Sequence, residues 1–130
     1  MTEIRTDSAE DFIYTFNQVL LGGDLDAAMR LYEPDAVYIP EPPATPLRGN
    51  DIRAALSAVP ELGLPITHHR RYIYTAGDIA LFNGDWVIDG IGPDGRHVHR
   101  EGTAIDVIRR GTDGQYRFLV HNPFGLAGPS

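Results

Sequence analysis

The stretch "GTAIDVIRRGTDGQYRFLVHNPFG", residues 102–125, carries the decision about the fold. Two alternating β-prone runs flank Gly111-Thr112-Asp113-Gly114, so the stretch reads as an antiparallel hairpin. Asp106 interrupts its first strand, between Ile105 and Val107. A lone ionised carboxylate in an apolar site costs free energy unless it is paired, hydrogen-bonded or protonated. The place of this strand in the fold therefore decides what Asp106 is for.

Alternation along the strand puts Arg100, Gly102, Ala104, Asp106 and Ile108 on one face, and His97, His99, Glu101, Thr103, Ile105 and Val107 on the other. With Gly111–Gly114 as a four-residue loop, Arg110 opposes Gln115 and Ala104 opposes His121. Asp106 and His121 are then diagonal neighbours on one face, about 7–8 Å apart at their Cα atoms. A slip of one residue would undo this. Such a pair has two readings. One is an acid–base couple. The other is a buried ion pair in which His121 or Arg117 neutralises Asp106.

Outward from the hairpin, residues 66–76, 79–90, 96–110 and 115–122 read as strands, separated by "AGD", "GPDG" and "GTDG". Upstream lie three helical patterns. The first begins near Ser8, with Asp11 completing a capping box and Phe12, Phe16, Val19 and Leu20 at helical spacing. Gly22-Gly23 stops it, Asp24 caps a second helix over 25–32, and Pro34 follows. Residues 35–40 read as a short strand, 41–49 as a proline-rich loop, and 50–59 as a third helix closed by Pro60. Helices followed by a strand meander give an α+β domain: a curved antiparallel sheet wrapped around N-terminal helices, leaving a cone-shaped cavity.

The 130 residues fit a single domain spanning 1–130. Hydrophobic residues make up 42% and charged residues 22%, the balance of a soluble domain. A formal charge of -7 argues against nucleic acid or an anionic membrane as partner. All 11 basic residues are Arg, which excludes lysine Schiff-base chemistry. The absence of Cys excludes disulfides and thiolate chemistry. The polar start "MTEIRTDSAED" is not a signal peptide, and no apolar run approaches the ~20 residues of a membrane helix. A cytoplasmic protein is expected.

The segments "GGDLDAAMRLYEPDAVYI", "PLRGNDIRAAL", "GDWVIDGIGPDGR" and "IDVIRRGTDGQYRFLVHNPFG", in that order, resemble the nuclear-transport-factor-two-like superfamily. The similarity is to its SnoaL-like polyketide cyclase and ketosteroid isomerase-like branches, and runs from about Ser8 to Gly125. It implies a cone-shaped fold, a pocket between sheet and helices, and a homodimer. In ketosteroid isomerases a protonated strand carboxylic acid donates a hydrogen bond to the substrate oxyanion; Asp106 matches it, and Tyr32 matches a second-helix tyrosine. Two departures stand out. The oxyanion tyrosine of the first helix falls at Phe16. The general-base aspartate falls at Pro40, with Glu41 one residue later. A third network tyrosine falls at Ser57.

His97, His99 and Glu101 have metal-ligand chemistry, but they lie opposite Asp106 and read as a solvated face or dimer contact. "HHRR" at 68–71 reads as a charge-protected edge strand. No metal or cofactor is expected.

The expectation is a small cofactor-independent enzyme moving a proton on a hydrophobic, oxygenated small molecule: an isomerase, cyclase, dehydratase or epoxide hydrolase. Asp106 would be the acid or donor, His121 its partner base or orienting group, and Glu41 a second carboxylate. Tyr32, Trp86, Phe16 and Tyr14 would line the ligand. The alternatives are a non-catalytic binding module with an Arg-neutralised Asp106, and a dimeric assembly domain.

Overall fold

The computed structural model describes residues 4–41 and 45–125. Helices α1 (Ala9–Leu21) and α2 (Leu25–Met29) precede strand β1 (Tyr32–Tyr38). Helices α3 (Asn50–Leu56) and α4 (Ala58–Leu62) follow, then β2 (Thr67–Ala76), β3 (Ile79–Ile91), β4 (His97–Arg110) and β5 (Tyr116–His121). Of the expected proline-rich loop and C-terminal tail, residues 42–44 and 126–130 lie outside the described residues, as do residues 1–3 of the polar start.

The local signals act unevenly. Asp24 caps α2, its carboxylate accepting the Ala27 N–H at 3.0 Å. Ser8 precedes α1 but makes no side-chain cap bond, so the expected capping box does not form. The second helix is shorter than expected because the sheet claims its end. Leu31 O accepts the Phe118 N–H, and Tyr32 pairs with Phe118 as the first residue of β1. Tyr32 is thus a strand residue, and Pro34 sits inside an edge strand, where it is tolerated. The expected third helix divides at Ser57, whose hydroxyl donates to Ala54 O at 2.7 Å. Pro60 lies in the first turn of α4, where its missing N–H costs nothing, and does not close a helix.

The sheet order is β1-β5-β4-β3-β2. The expected antiparallel meander covers β2 to β5. β1 corrects it: this strand joins the free edge of β5 in parallel, so the curved, open sheet is mixed. Along β3 burial alternates strictly, turning Ala80, Phe82, Trp86 and Ile88 inward. They meet Phe12, Ile13, Phe16 and Leu20 of α1 in one apolar core. Phe118 binds the two layers, with edge-on contacts at 4.8 Å to Phe12 and 4.9 Å to Phe16.

The hairpin register differs from the expectation in two places. Gly111 N–H donates to Gln115 O at 2.9 Å and Gly114 adopts φ +78, so the loop holds three residues. The Asp113 carboxylate reinforces it by accepting the Gln115 N–H at 3.0 Å. Arg110 therefore opposes Tyr116, not Gln115, and Ile108 opposes Phe118. A bulge then intervenes, and Val107 pairs with Val120. That second shift restores His121 to the inner face, opposite Asp106.

Candidate functional site

The inner face of the sheet and helices α1, α3 and α4 surround a cavity of about 340 Å³. Its wall is mostly apolar: Ile13, Phe16 and Leu20 from α1, Leu56 and Val59 below them, Phe82, Trp86 and Ile88 from β3. Seven polar side chains break that wall: Asn17, Tyr38, Glu41, His68, Arg100, Asp106 and His121.

Asp106 is 2% exposed. Its Oδ1 accepts the Asn122 backbone N–H at 2.6 Å. Burial pushes its carboxyl up to about 7, and the Asn122 amide opposes that shift only in part. No cation neutralises it among the described residues; Arg117, one expected partner, pairs with Asp113 at 2.5 Å. Asp106 is thus a desolvated acid that titrates near neutrality.

His121 occupies an aromatic cage. Its ring stacks on Phe118 at 4.1 Å, and Phe16, Tyr38 and Tyr32 surround it at 5.4, 5.0 and 5.8 Å. Burial lowers its pKa to about 3, so the imidazole is neutral. The Tyr32 hydroxyl lies 2.7 Å from Nδ1. Burial also raises the Tyr32 pKa, which keeps the phenol protonated. No other acceptor for that proton lies within reach among the described residues, so Tyr32 donates and Nδ1 accepts. The ring proton then sits on Nε2, and His121 offers the cavity a donor. In this tautomer Nδ1 is occupied by the Tyr32 hydroxyl and Nε2 carries the proton.

Tyr38 completes this pole. Its pKa is raised by burial, lowered by Arg100 and raised again by Asp106, so its phenol shares their field. Its hydroxyl has no partner among the described residues. Phe16 lines the cavity and, with Tyr38, packs against His121. Trp86 also lines it, held by an Nε1–H bond to Pro123 O at 2.6 Å. Gly102 makes that placement feasible: a Cβ there would stand 3.0 Å from the indole and 2.9 Å from Pro123 O.

Other expectations fare differently. Tyr32 stands behind His121 and supports it without lining the cavity. Tyr14 is 60% exposed and takes no part. Glu41 lies at the mouth, 60% exposed, in an ion pair with Arg100. Ser57 spends its hydroxyl on its own helix. On the outer face, Asp89 bonds both His97 at 3.2 Å and His99 at 2.6 Å, and Glu101 also bonds His99. No group of three or more His, Cys, Asp or Glu is placed to hold a metal among the described residues.

The sequence reading missed Tyr38, Asn17, His68, Arg100 and Asn122. One signal was available for Asn17. Ile13, Phe16, Asn17 and Leu20 have the i, i+3, i+4, i+7 spacing of a buried helix face, and Asn17 is its one polar member.

The comparisons agree with this fold. The structure resembles a candidate calcium/calmodulin-dependent protein kinase II association domain from Xanthomonas campestris at 15% identity and TM-score 0.77, covering 98% of this chain and 100% of that one. It also resembles a candidate ketosteroid isomerase from Shewanella frigidimarina at 18% identity and TM-score 0.68, over 84% and 88% of the two chains. An NTF2-like protein with a cystatin-like fold from Novosphingobium aromaticivorans matches at 19% identity and TM-score 0.68, over 91% and 79%. Identities this low speak for the fold alone. No curated protein sequence matches the chain. The sequence pattern of the SnoaL-like domain, however, matches residues 9–117, most of the chain. With its helices packed on a curved mixed sheet, this protein belongs to the SnoaL-like domain family.

Proposed function

We propose that this protein is a small cofactor-independent enzyme that moves a proton on a hydrophobic, oxygenated small molecule. The observation that carries the reading is Asp106: a fully buried carboxyl titrating at about 7 on the wall of an apolar cavity. A general acid or base works best when its pKa lies near the working pH. The protonated form gives a proton or hydrogen bond to a substrate oxygen, and the ionised form takes a proton from carbon. His121 Nε2–H and the Tyr38 hydroxyl are donors for an enolate or alkoxide, so Tyr38 supplies from β1 the hydroxyl that Phe16 lacks on α1. Glu41 is a second carboxylate at the mouth, able to act as base once a ligand draws Arg100 away. Isomerisation, cyclisation, dehydration and epoxide opening all fit such a site.

The homodimer that the family resemblance implies is part of the proposal. Exposed Tyr72, Tyr74 and Leu81 give the outer face of β2 and β3 an apolar surface that suits a second copy. Sedimentation velocity tests this part directly.

A non-catalytic ligand-binding role is the second reading, favoured by the Arg100–Glu41 pairing and by Phe16. Proton–deuterium exchange separates the two. 1-Tetralone, 2-cyclohexenone and styrene oxide are incubated with the protein in D2O and followed by NMR. The proposal expects exchange α to a carbonyl, or ring opening, at least ~100-fold slower in folded Asp106→Asn. Probes that bind but do not react would support the binding role instead, and a catalysed rate that is unchanged in Asp106→Asn would overturn the role of Asp106.

A further inference from the structure

The cavity has a second polar group away from Asp106. Asn17 Nδ2 lies 3.1 Å from His68 Nε2, and His68 Nδ1 lies 3.2 Å from the Asp85 carbonyl oxygen. The bonding order in this chain is fixed. A carbonyl oxygen only accepts, so His68 donates from Nδ1–H. Burial lowers the pKa of His68, so Nε2 of the neutral ring carries a lone pair. Nε2 must then receive a proton from Asn17, which fixes the amide with Nδ2 towards His68. The opposite amide orientation would set two lone pairs against each other. Asn17 Oδ1 is left over, an acceptor on a cavity-lining residue with no partner among the described residues.

The pole at Asp106 has the opposite character, since His121 Nε2–H, the Tyr38 hydroxyl and protonated Asp106 all donate. α1 keeps the two poles close. Phe16 touches His121 and its chain neighbour Asn17 holds His68. Phe82 stands between them, paired with Asp106 and in edge contact with His68 at 5.9 Å. Both poles line the same cavity.

We propose that Asn17, held by His68, is a second ligand subsite that accepts an O–H or N–H. This deepens the function proposed above and rests on it. The substrate class becomes an apolar ring compound with an oxygen acceptor at one end and a hydrogen-bond donor at the other: a hydroxyketone and not a plain ketone or diketone.

Trp86 is the one tryptophan in the chain and lines the cavity, so its indole N–H resonance reports occupancy. That resonance is followed by NMR during titration with 1-tetralone, 6-hydroxy-1-tetralone and 6-methoxy-1-tetralone. The hydroxyl donates, the methoxy oxygen only accepts, and the parent ketone has neither. The expected result is that the hydroxyketone binds about 3- to 10-fold more tightly than the other two, the worth of one hydrogen bond. In Asn17→Leu, which keeps the side-chain size on an apolar helix face, that ratio falls to about 1. Equal binding of the three ketones to the wild type would overturn the subsite and leave the ketone-binding cavity standing. A preference that survives in Asn17→Leu would overturn it too. Failure of all three to shift Trp86 would remove the parent proposal and the subsite with it.

Discussion

Asp106 and His121 face each other with opposite protonation habits, and their effects on stability oppose. Asp106 ordinarily titrates at 3.8 but keeps its proton to about 7 in the fold. Between those values the folded state holds the extra proton, so this contribution to stability is lost as pH rises. His121 ordinarily titrates at 6.5 but stays neutral down to about 3 in the fold. Between those values the unfolded state holds the extra proton, so stability is lost as pH falls. The windows overlap from about pH 4 to 6.5, where the two slopes offset each other. Asp106→Asn leaves the histidine contribution and should make stability rise with pH across that window. His121→Gln should make it fall. Each pKa unit corresponds to about 1.4 kcal/mol, so each limb amounts to a few kcal/mol. Urea denaturation at a series of pH values checks this; parallel slopes in the two variants would contradict the assigned environments.

Among the elements, β4 and β5 hold the site, and small backbone features decide what they present. The four-residue loop read from "GTDG" is a three-residue loop, which displaces the register by one. The bulge beyond Phe118 displaces it again, so the two changes together leave Asp106 and His121 on one face. The alternation of apolar residues was legible because it follows directly from strand geometry. The bulge was not, because Leu119 and Val120 are both apolar and either could face in. Gly102 shows a similar dependence on the neighbouring strand. Its bare Cα lets Trp86 lie across β4 and bond Pro123 O. Gly102→Ala should cost about 1–3 kcal/mol through overpacking. It should also shift the Trp86 indole N–H resonance as that bond is displaced. An unperturbed resonance with unchanged stability would show that the indole has room to spare.

For the whole molecule, Phe118 is the point where the helical layer, the sheet and the site meet. It touches Phe12, Phe16, Tyr32 and His121. Phe118→Ala should lose about 3–5 kcal/mol. In the remaining folded population the His121 pKa should move up towards its ordinary value, as water reaches the ring; chemical denaturation and histidine NMR measure the two effects. Alternation, helical spacing and turn chemistry by themselves determined the order of elements, the α+β class and the inward face of β4. These are local properties: a β-strand alternates and a helix repeats whatever it packs against. Only the tertiary structure decided that β1 joins β5 in parallel, that Tyr32 leaves the helix to set the His121 tautomer, and that Tyr38 lines the same cavity as Asp106. It also decided that Glu41 goes to Arg100 and Asn17 to His68. The physical reason is desolvation. A carboxyl at neutral charge and a neutral imidazole acquire their properties from residues far along the chain, which close over them only when the sheet curves around α1, and the Asn17 amide is turned by a histidine that the same curvature brings to it.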